Sequence, residues 1–133
     1  MRDYFQPDLT EDQLRAISSI GLAHMGDAVF EILVRSWLCT HGKATGKGLH
    51  QATVALVRAE SQAERAARIL PLLTEEEQGV FRRGRNAQVH SVPQHASRAQ
   101  YGTATALEAL FGWLYLSGRR QRASDLFDMM MEE

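Results

Sequence analysis

Two short segments of the sequence place a carboxylate inside an apolar run that favours a helix. Asp27 lies within His24-Met25-Gly26-Asp27-Ala28-Val29-Phe30-Glu31, and Glu108 lies within Thr105-Ala106-Leu107-Glu108-Ala109-Leu110. Asp and Glu are rarely buried unless they are paired or bind a metal. Carboxylate oxygens on two rigid elements suit Mg²⁺, and a divalent metal with bound water is the usual equipment for phosphodiester hydrolysis. The sequence therefore predicts a cation site if two helices bring these carboxylates together.

The helical spacing around each carboxylate adds polar neighbours on the same face. These are His24 and Glu31 for Asp27, and Tyr101 and Thr105 for Glu108. Gly26 costs about 1 kcal/mol relative to Ala in a helix, which is easier to understand if another backbone approaches it closely. The alternative is that Asp27 and Glu108 are ordinary salt-bridged helix residues.

A second candidate is the basic segment Phe81-Arg82-Arg83-Gly84-Arg85-Asn86-Ala87. Three arginines around a glycine at a helix end can bind consecutive phosphates. Residues 32–59 and 78–107 contain no acid, and the first of these windows carries Lys43 and Lys47 in a glycine-rich segment. Such segregation predicts a basic face that suits a polyanion. Ordinary solvated helix surface, with arginines that favour a helix carboxyl end, is the alternative.

Length and composition predict one globular domain over residues 1–133, since the chain is 44% hydrophobic and 23% charged with a net charge of −1. The single cysteine, Cys39, excludes an internal disulfide and favours a reducing cytoplasm. We expect no signal peptide and no membrane span, because no apolar run approaches the roughly 20 residues that a span needs. The spacing of His24, His90 and His95 argues against zinc.

The periodicity and caps predict an all-α fold. Thr10 begins a first helix, and a long helix runs from about Gly21 to Thr40, with an apolar stripe of Leu22, Met25, Val29, Ile32, Leu33 and Trp37. We expect loops at Gly42–Gly48 and Gly84–Ala96. The remaining helices are predicted over Leu49–Leu70 (one helix or two abutting ones with a small-residue face), Thr74 to about Arg83, Arg98–Leu116 and Gln121–Met131.

The long helix, with Leu22-Ala23-His24-Met25-Gly26-Asp27-Ala28-Val29-Phe30-Glu31, resembles the signature helix of the ribonuclease III family. Three further segments follow in the family's order: Leu73 to Glu77, Phe81 to Ala87 and Thr105 to Gly112. The match covers nearly the whole chain and leaves no room for a double-stranded-RNA-binding domain. That combination resembles the short bacterial branch of the family, Mini-ribonuclease III.

The resemblance implies an all-α endonuclease domain that forms a homodimer and binds double-stranded RNA. It implies that Asp27 and Glu108 are catalytic metal ligands, with Mg²⁺ as cofactor and Mn²⁺ as a substitute. Ala23 and Thr105 stand where the family usually has acids, so the number of metals stays open. Glu31 is a possible auxiliary group, although pairing with Arg35 is the preferred interpretation, and Thr105 is the other possible auxiliary residue.

The resemblance implies Mg²⁺-dependent cleavage of double-stranded RNA that leaves 5′-phosphates. The substrate that it implies is large-subunit (23S) ribosomal RNA precursor. The expected backbone contacts come from Arg82, Arg83, Arg85, Asn86, Lys43 and Lys47. The alternatives are a non-catalytic RNA-binding or ribosome-associated module on the same fold, and a helical adaptor that binds protein.

Overall fold

The computed structural model describes residues 1–87 and 96–132, and these form helices and no strand, which confirms the all-α prediction. The helices are α1 Glu11–Arg15, α2 Ser19–Thr40, α3 Gly46–Val57, α4 Ala59–Ala66, α5 Glu75–Arg85, α6 Arg98–Leu116 and α7 Arg120–Met131, with a 3₁₀ turn at Leu70–Leu72. None of the described helices is long and apolar enough to cross a membrane.

Helix α6 is the central element, and α2, α4, α5 and α7 all pack against it. Its residues from Ala104 to Leu114 are buried, apart from the half-buried Glu108. Phe30 of α2 contacts Phe111 of α6 and Phe127 of α7 edge to face, with ring centroids 5.7 and 5.6 Å apart. Such pairs add to the burial of apolar surface that stabilises the fold. Glu108 is therefore a carboxylate on the most buried helix of the protein.

Local capping sets most helix starts. Capping boxes join Thr10 to Gln13, Thr74 to Glu77 and Ser97 to Gln100, and each satisfies backbone donors at its helix start. The predicted bounds of α6 are those of the structure. The Leu49–Leu70 segment forms two abutting helices, one of the two predicted arrangements, because Arg58 is extended between them.

Two loop predictions were wrong at their edges. Helix α3 already begins at Gly46, because the Thr45 side chain caps the backbone N–H of Gly48. Gly84 and Arg85 belong to α5, since a Cβ on Gly84 would lie 2.9 Å from Cα of Ala106, so that α5 continues in close contact with α6. Asn86, Ala87 and Ala96 of the predicted loop lie outside any helix, and residues 88–95, which include His90 and His95, fall outside the described residues.

The predicted apolar stripe of α2 was partly wrong. Ile32 is 61% exposed, whereas Phe30, Val34 and Leu38 are buried. This helix is apolar on most of its circumference, so its periodicity does not identify one core face. The predicted small-residue face over α3 and α4 was also only partly right, because Ala66 is buried but Ala67 is exposed. Ala67 is the C-cap of α4, so it lies beyond the helix whose buried side includes Ala66.

Candidate active site

Two glycines bring the backbones of α2 and α6 into contact. A Cβ on Gly26 would lie 1.5 Å from the carbonyl oxygen of Glu108, and a Cβ on Gly112 would lie 2.1 Å from that of Leu22. No side chain fits at either position, because both distances are far below van der Waals contact. The expectation that another backbone approaches Gly26 is confirmed, and the crossing places Asp27 beside Glu108.

The Asp27 and Glu108 side chains form a carboxylate pair at this crossing. Asp27 is exposed on α2, Glu108 is half-buried on α6, and the two carboxyl groups lie within hydrogen-bonding reach of each other. Within residues 1–87 and 96–132, no ion pair with Lys, Arg or His involves either side chain. The salt-bridged alternative is therefore wrong for the described residues.

Burial, together with the hydrogen bond and charge of Asp27, raises the pKa of Glu108 to about 8. Two neighbouring carboxylates resist ionising together, because each negative charge disfavours the other. Such a pair is stabilised either by a shared proton or by a cation that neutralises both charges. Below its pKa, Glu108 carries the proton in the cation-free protein.

Gln62 of α4 is a third polar side chain at the pair, and the sequence analysis missed it. Its amide Nε2 donates to Oε2 of Glu108 at 3.5 Å and to the carbonyl of Val57 at 3.1 Å. The sequence contains no signal for this contact, because a glutamine in an Ala-rich helix is typical of exposed surface. Thr105, one helical turn before Glu108, is buried beside the pair on the same helix.

The donor set at this crossing fits a hard divalent cation. Two carboxyl groups are present, and Oε1 of Gln62 is a buried oxygen that has no hydrogen-bond partner. The described residues contain no group of three or more His, Cys, Asp or Glu side chains that could hold a metal. Mg²⁺ favours a site with few protein ligands, at which it keeps several of its own waters. Asp27 and Glu108 are the residues that would hold the ion.

The remaining polar neighbours of Asp27 have other roles. Glu31 forms an ion pair with Arg35 one turn later on α2, as preferred in the sequence analysis. His24 is exposed. The structure thus provides no contact that brings Glu31 to the carboxylate pair.

The predicted basic residues at the end of α5 are exposed. Arg82, Arg83 and Arg85 lie in the last turn of α5, and Asn86 is its C-cap. Arg83 borders a groove of about 730 Å³ that Glu76 and Trp113 also line. Gly84, between Arg83 and Arg85, packs against α6, where a Cβ on it would lie 2.9 Å from Cα of Ala106.

Lys43 and Lys47 are exposed beyond the carboxyl end of α2. Because the Gly26 and Gly112 contacts make α2 and α6 antiparallel, this end of α2 lies toward the start of α6. Arg85 also lies toward that start, since its backbone oxygen is 3.5 Å from a Cβ built on Gly102. The structure places Arg85 and the lysines toward the same end of the α2–α6 pair.

Comparisons with known proteins identify similar chains. A Ribonuclease III domain model matches residues 21–119. The chain is 43% identical over 105 residues to a Mini-ribonuclease 3 of Symbiobacterium thermophilum, which covers 79% of this chain and 81% of the relative. Identity to a Mini-ribonuclease 3 of Thermoanaerobacter sp. is 36% over 124 residues, or 93% and 87% of the two chains. The crystal structure of protein FN1578 from Fusobacterium nucleatum superposes with a TM-score of 0.79 at 27% identity, covering 87% of this chain and 94% of that one.

Proposed function

Because the chain belongs to the ribonuclease III family and to its Mini-ribonuclease 3 branch, we propose that it is an Mg²⁺-dependent endoribonuclease for double-stranded RNA. The observation that carries the metal-dependent part is the pairing of Asp27 with Glu108 at a helix crossing, with no cation from the described residues to neutralise them. Mn²⁺ is expected to substitute, since it accepts the same oxygen ligands.

The chain's own residues have defined tasks in this proposal. Asp27 and Glu108 would hold the ion, and a cation there would favour the ionised form of both carboxyl groups. Mg²⁺ held by this pair would supply an activated water and stabilise charge on the phosphoryl oxygens. The rigid crossing at Gly26 fixes the spacing of the two carboxylates before substrate binds. The carboxylates therefore do not have to rearrange during the reaction. Cleavage leaves a 5′-phosphate and a 3′-hydroxyl.

We assign RNA backbone binding to Arg82, Arg85 and Asn86 on α5, and to Lys43 and Lys47 beyond α2. All five are exposed. Arg83 is also exposed and is assigned to the same task. Contacts to phosphates read the A-form shape of the duplex more than its sequence. Because the net charge of the chain is −1, the protein as a whole does not attract RNA, and binding depends on this local basic surface.

The finer substrate assignment is large-subunit (23S) ribosomal RNA precursor in the cytoplasm. It rests on the likeness to the short branch of the family. The free Cys39 agrees with a reducing compartment. The test of this assignment is whether the purified protein trims a precursor transcript at the mature ends and leaves an unrelated structured RNA of equal length intact.

We also propose a homodimer. An apolar surface with a cavity of about 370 Å³ lies beside α2, where Phe5 and Ile32 are 80% and 61% exposed. Contiguous exposed apolar surface on a small domain marks an interaction site. Sedimentation equilibrium should give twice the chain mass, and Ile32→Lys should shift the protein toward monomer because it buries a charge in the interface. An unchanged dimer in this variant would place the interface elsewhere.

Cleavage of a long RNA duplex tests the central proposal. We expect discrete products with Mg²⁺, none with chelator, and an initial rate at least about a thousand-fold lower in Asp27→Asn, because the ion loses a ligand. The variant should keep its helical circular dichroism and its RNA affinity. Cleavage retained in Asp27→Asn would contradict the site, and binding without cleavage in the wild type would favour a non-catalytic RNA-binding module.

A further inference from the structure

Gln62 approaches the carboxylate pair from α4, a helix that the pair itself does not use. Its side chain is only 1% exposed. Its amide nitrogen Nε2 donates to the carbonyl of Val57, at the junction of α3 and α4. The same nitrogen also reaches Oε2 of Glu108, 46 residues away in the sequence. The side chain thus links a structural junction to the candidate cation site.

The orientation of this amide is fixed by its partners. Both neighbours of Nε2, the Val57 carbonyl and Oε2 of Glu108, accept hydrogen bonds when the carboxyl is ionised. A flipped amide would place its oxygen against the Val57 carbonyl, with no donor between them. The nitrogen therefore faces these two acceptors, and Oε1 is the amide atom left without a partner.

Oε1 of Gln62 is buried and has no hydrogen-bond partner within the described residues. A buried oxygen without a hydrogen bond destabilises the folded protein, because the oxygen has lost its contacts with water and gained none in return. Folded proteins contain few of them, and each needs an explanation such as an ion or water. Here the oxygen belongs to a side chain already in contact with a candidate metal ligand, so a hydrated cation at that ligand would supply the missing donor.

We infer that Gln62 is a positioning residue of the cation site, and this inference rests on the proposed function. Its N–H fixes one oxygen of the Glu108 carboxylate, and its Oε1 accepts a hydrogen bond from a water of the bound Mg²⁺. Mg²⁺ keeps several waters, whose protons need acceptors. Gln62 thus provides a neutral oxygen at a site where Ala23 and Thr105 supply no carboxylate.

Metal binding without RNA separates this role from a purely structural one. The probe is Mn²⁺, measured by electron paramagnetic resonance on the full chain. Gln62→Met keeps the side-chain size but removes both polar atoms, and we expect its Kd for Mn²⁺ to rise about tenfold or more. Ser61→Ala is the matched control, because Ser61 Oγ donates to the Ala55 carbonyl at 2.8 Å in the same junction and has no hydrogen bond to Glu108. A Kd in Gln62→Met equal to that of Ser61→Ala would overturn the inference.

If Gln62→Met does not fold, Gln62→Glu provides a second test of the inference. A carboxylate that faces the cation should tighten Mn²⁺ binding and release one additional proton, which calorimetry in two buffers of different ionisation enthalpy measures. If the side chain serves only the junction, the buried acid stays protonated against the Val57 carbonyl. Unchanged affinity and proton release would then contradict the inference.

Asp27→Asn, measured in the same titration, distinguishes the two proposals. If the wild type binds Mn²⁺ no better than Asp27→Asn, the cation site itself is wrong and the role of Gln62 fails with it. If Asp27→Asn weakens binding but Gln62→Met does not, the proposed function stands and only the role of Gln62 is wrong.

Discussion

Glu77 on α5 and Glu108 on α6 are glutamates with buried or half-buried side chains, and their neighbours have opposite effects on the negative charge. Glu77 is 3% exposed and accepts two hydrogen bonds of 2.9 Å from Arg122, one from Nε and one from Nη2. The hydrogen bonds and charge of Arg122, with the capping contacts of Thr74, lower the pKa of Glu77 despite its burial. Beside Glu108 the described residues place a second carboxylate and no cation.

This difference separates a structural carboxylate from the one that we propose to be a metal ligand. A buried charge is stable when the fold supplies its counter-charge and saturates its oxygens, as the Thr74 cap and Arg122 do for Glu77. At the Asp27–Glu108 pair, no described residue forms an ion pair that supplies this counter-charge. Perturbed pKa values with this origin are typical of functional sites.

Breaking the structural pair should have the largest effect on stability. Arg122→Met leaves Glu77 buried without its cation, and we expect the free energy of unfolding at pH 7 to fall by about 3 kcal/mol. Urea denaturation measures this, and RNA cleavage by the folded fraction should stay within about threefold of the wild type, since Arg122 has no contact with the pair. Because the pKa of Glu77 is lowered from 4.5, this stabilisation is present at neutral pH and is lost as the pH falls through the folded-state value.

Adding Glu77→Gln to Arg122→Met provides the control. The double variant should recover part of the lost stability, because a neutral amide is cheaper to bury than an unpaired carboxylate. A loss below about 1 kcal/mol in the single variant would show that solvent, and not Arg122, stabilises the charge of Glu77.

The Asp27–Glu108 pair should give the opposite pH dependence, with an effect on stability of similar size. The folded-state pKa of Glu108, about 8, lies above its ordinary value of 4.5, so the folded protein binds more protons between these values. In chelator, stability should therefore decline as pH rises through this window, by roughly 2–4 kcal/mol. Glu108→Gln should flatten this decline, which thermal unfolding at a series of pH values detects. Equal slopes in the two proteins would mean that Glu108 is ionised throughout.

The smallest expected effect comes from an arginine that, unlike Arg122, has no acidic partner among the described residues. Arg85 is exposed near the end of α5. Arg85→Ala should weaken duplex RNA binding by less than about tenfold and reduce the salt slope by about 1, equally for duplexes of different sequence. Filter binding at several salt concentrations measures both. An effect confined to one duplex sequence would indicate direct base recognition.

Much of the fold was predictable because its signals are local. The box from Ser97 to Gln100 and the positive φ of Gly118 mark both ends of α6, and the predicted bounds are those of the structure. Gly26 also predicted part of the site, since a glycine that costs helix stability indicates close backbone approach, which here places the exposed Asp27 beside Glu108. The sequence did not predict which face of α2 is buried. An apolar Ile32 and an apolar Phe30 look alike in sequence, yet one is exposed and the other is buried.

The sequence by itself determined the helices, their caps and the two carboxylates, because these depend on residues within about four positions of each other. Tertiary structure alone decided that Gln62 meets Glu108 and that Gly84 packs against Ala106. Both outcomes depend on how α4 and α5 pack against α6, where partners are far apart in the chain. Side-chain direction across such a contact follows from interhelical packing, which no local pattern of residues encodes.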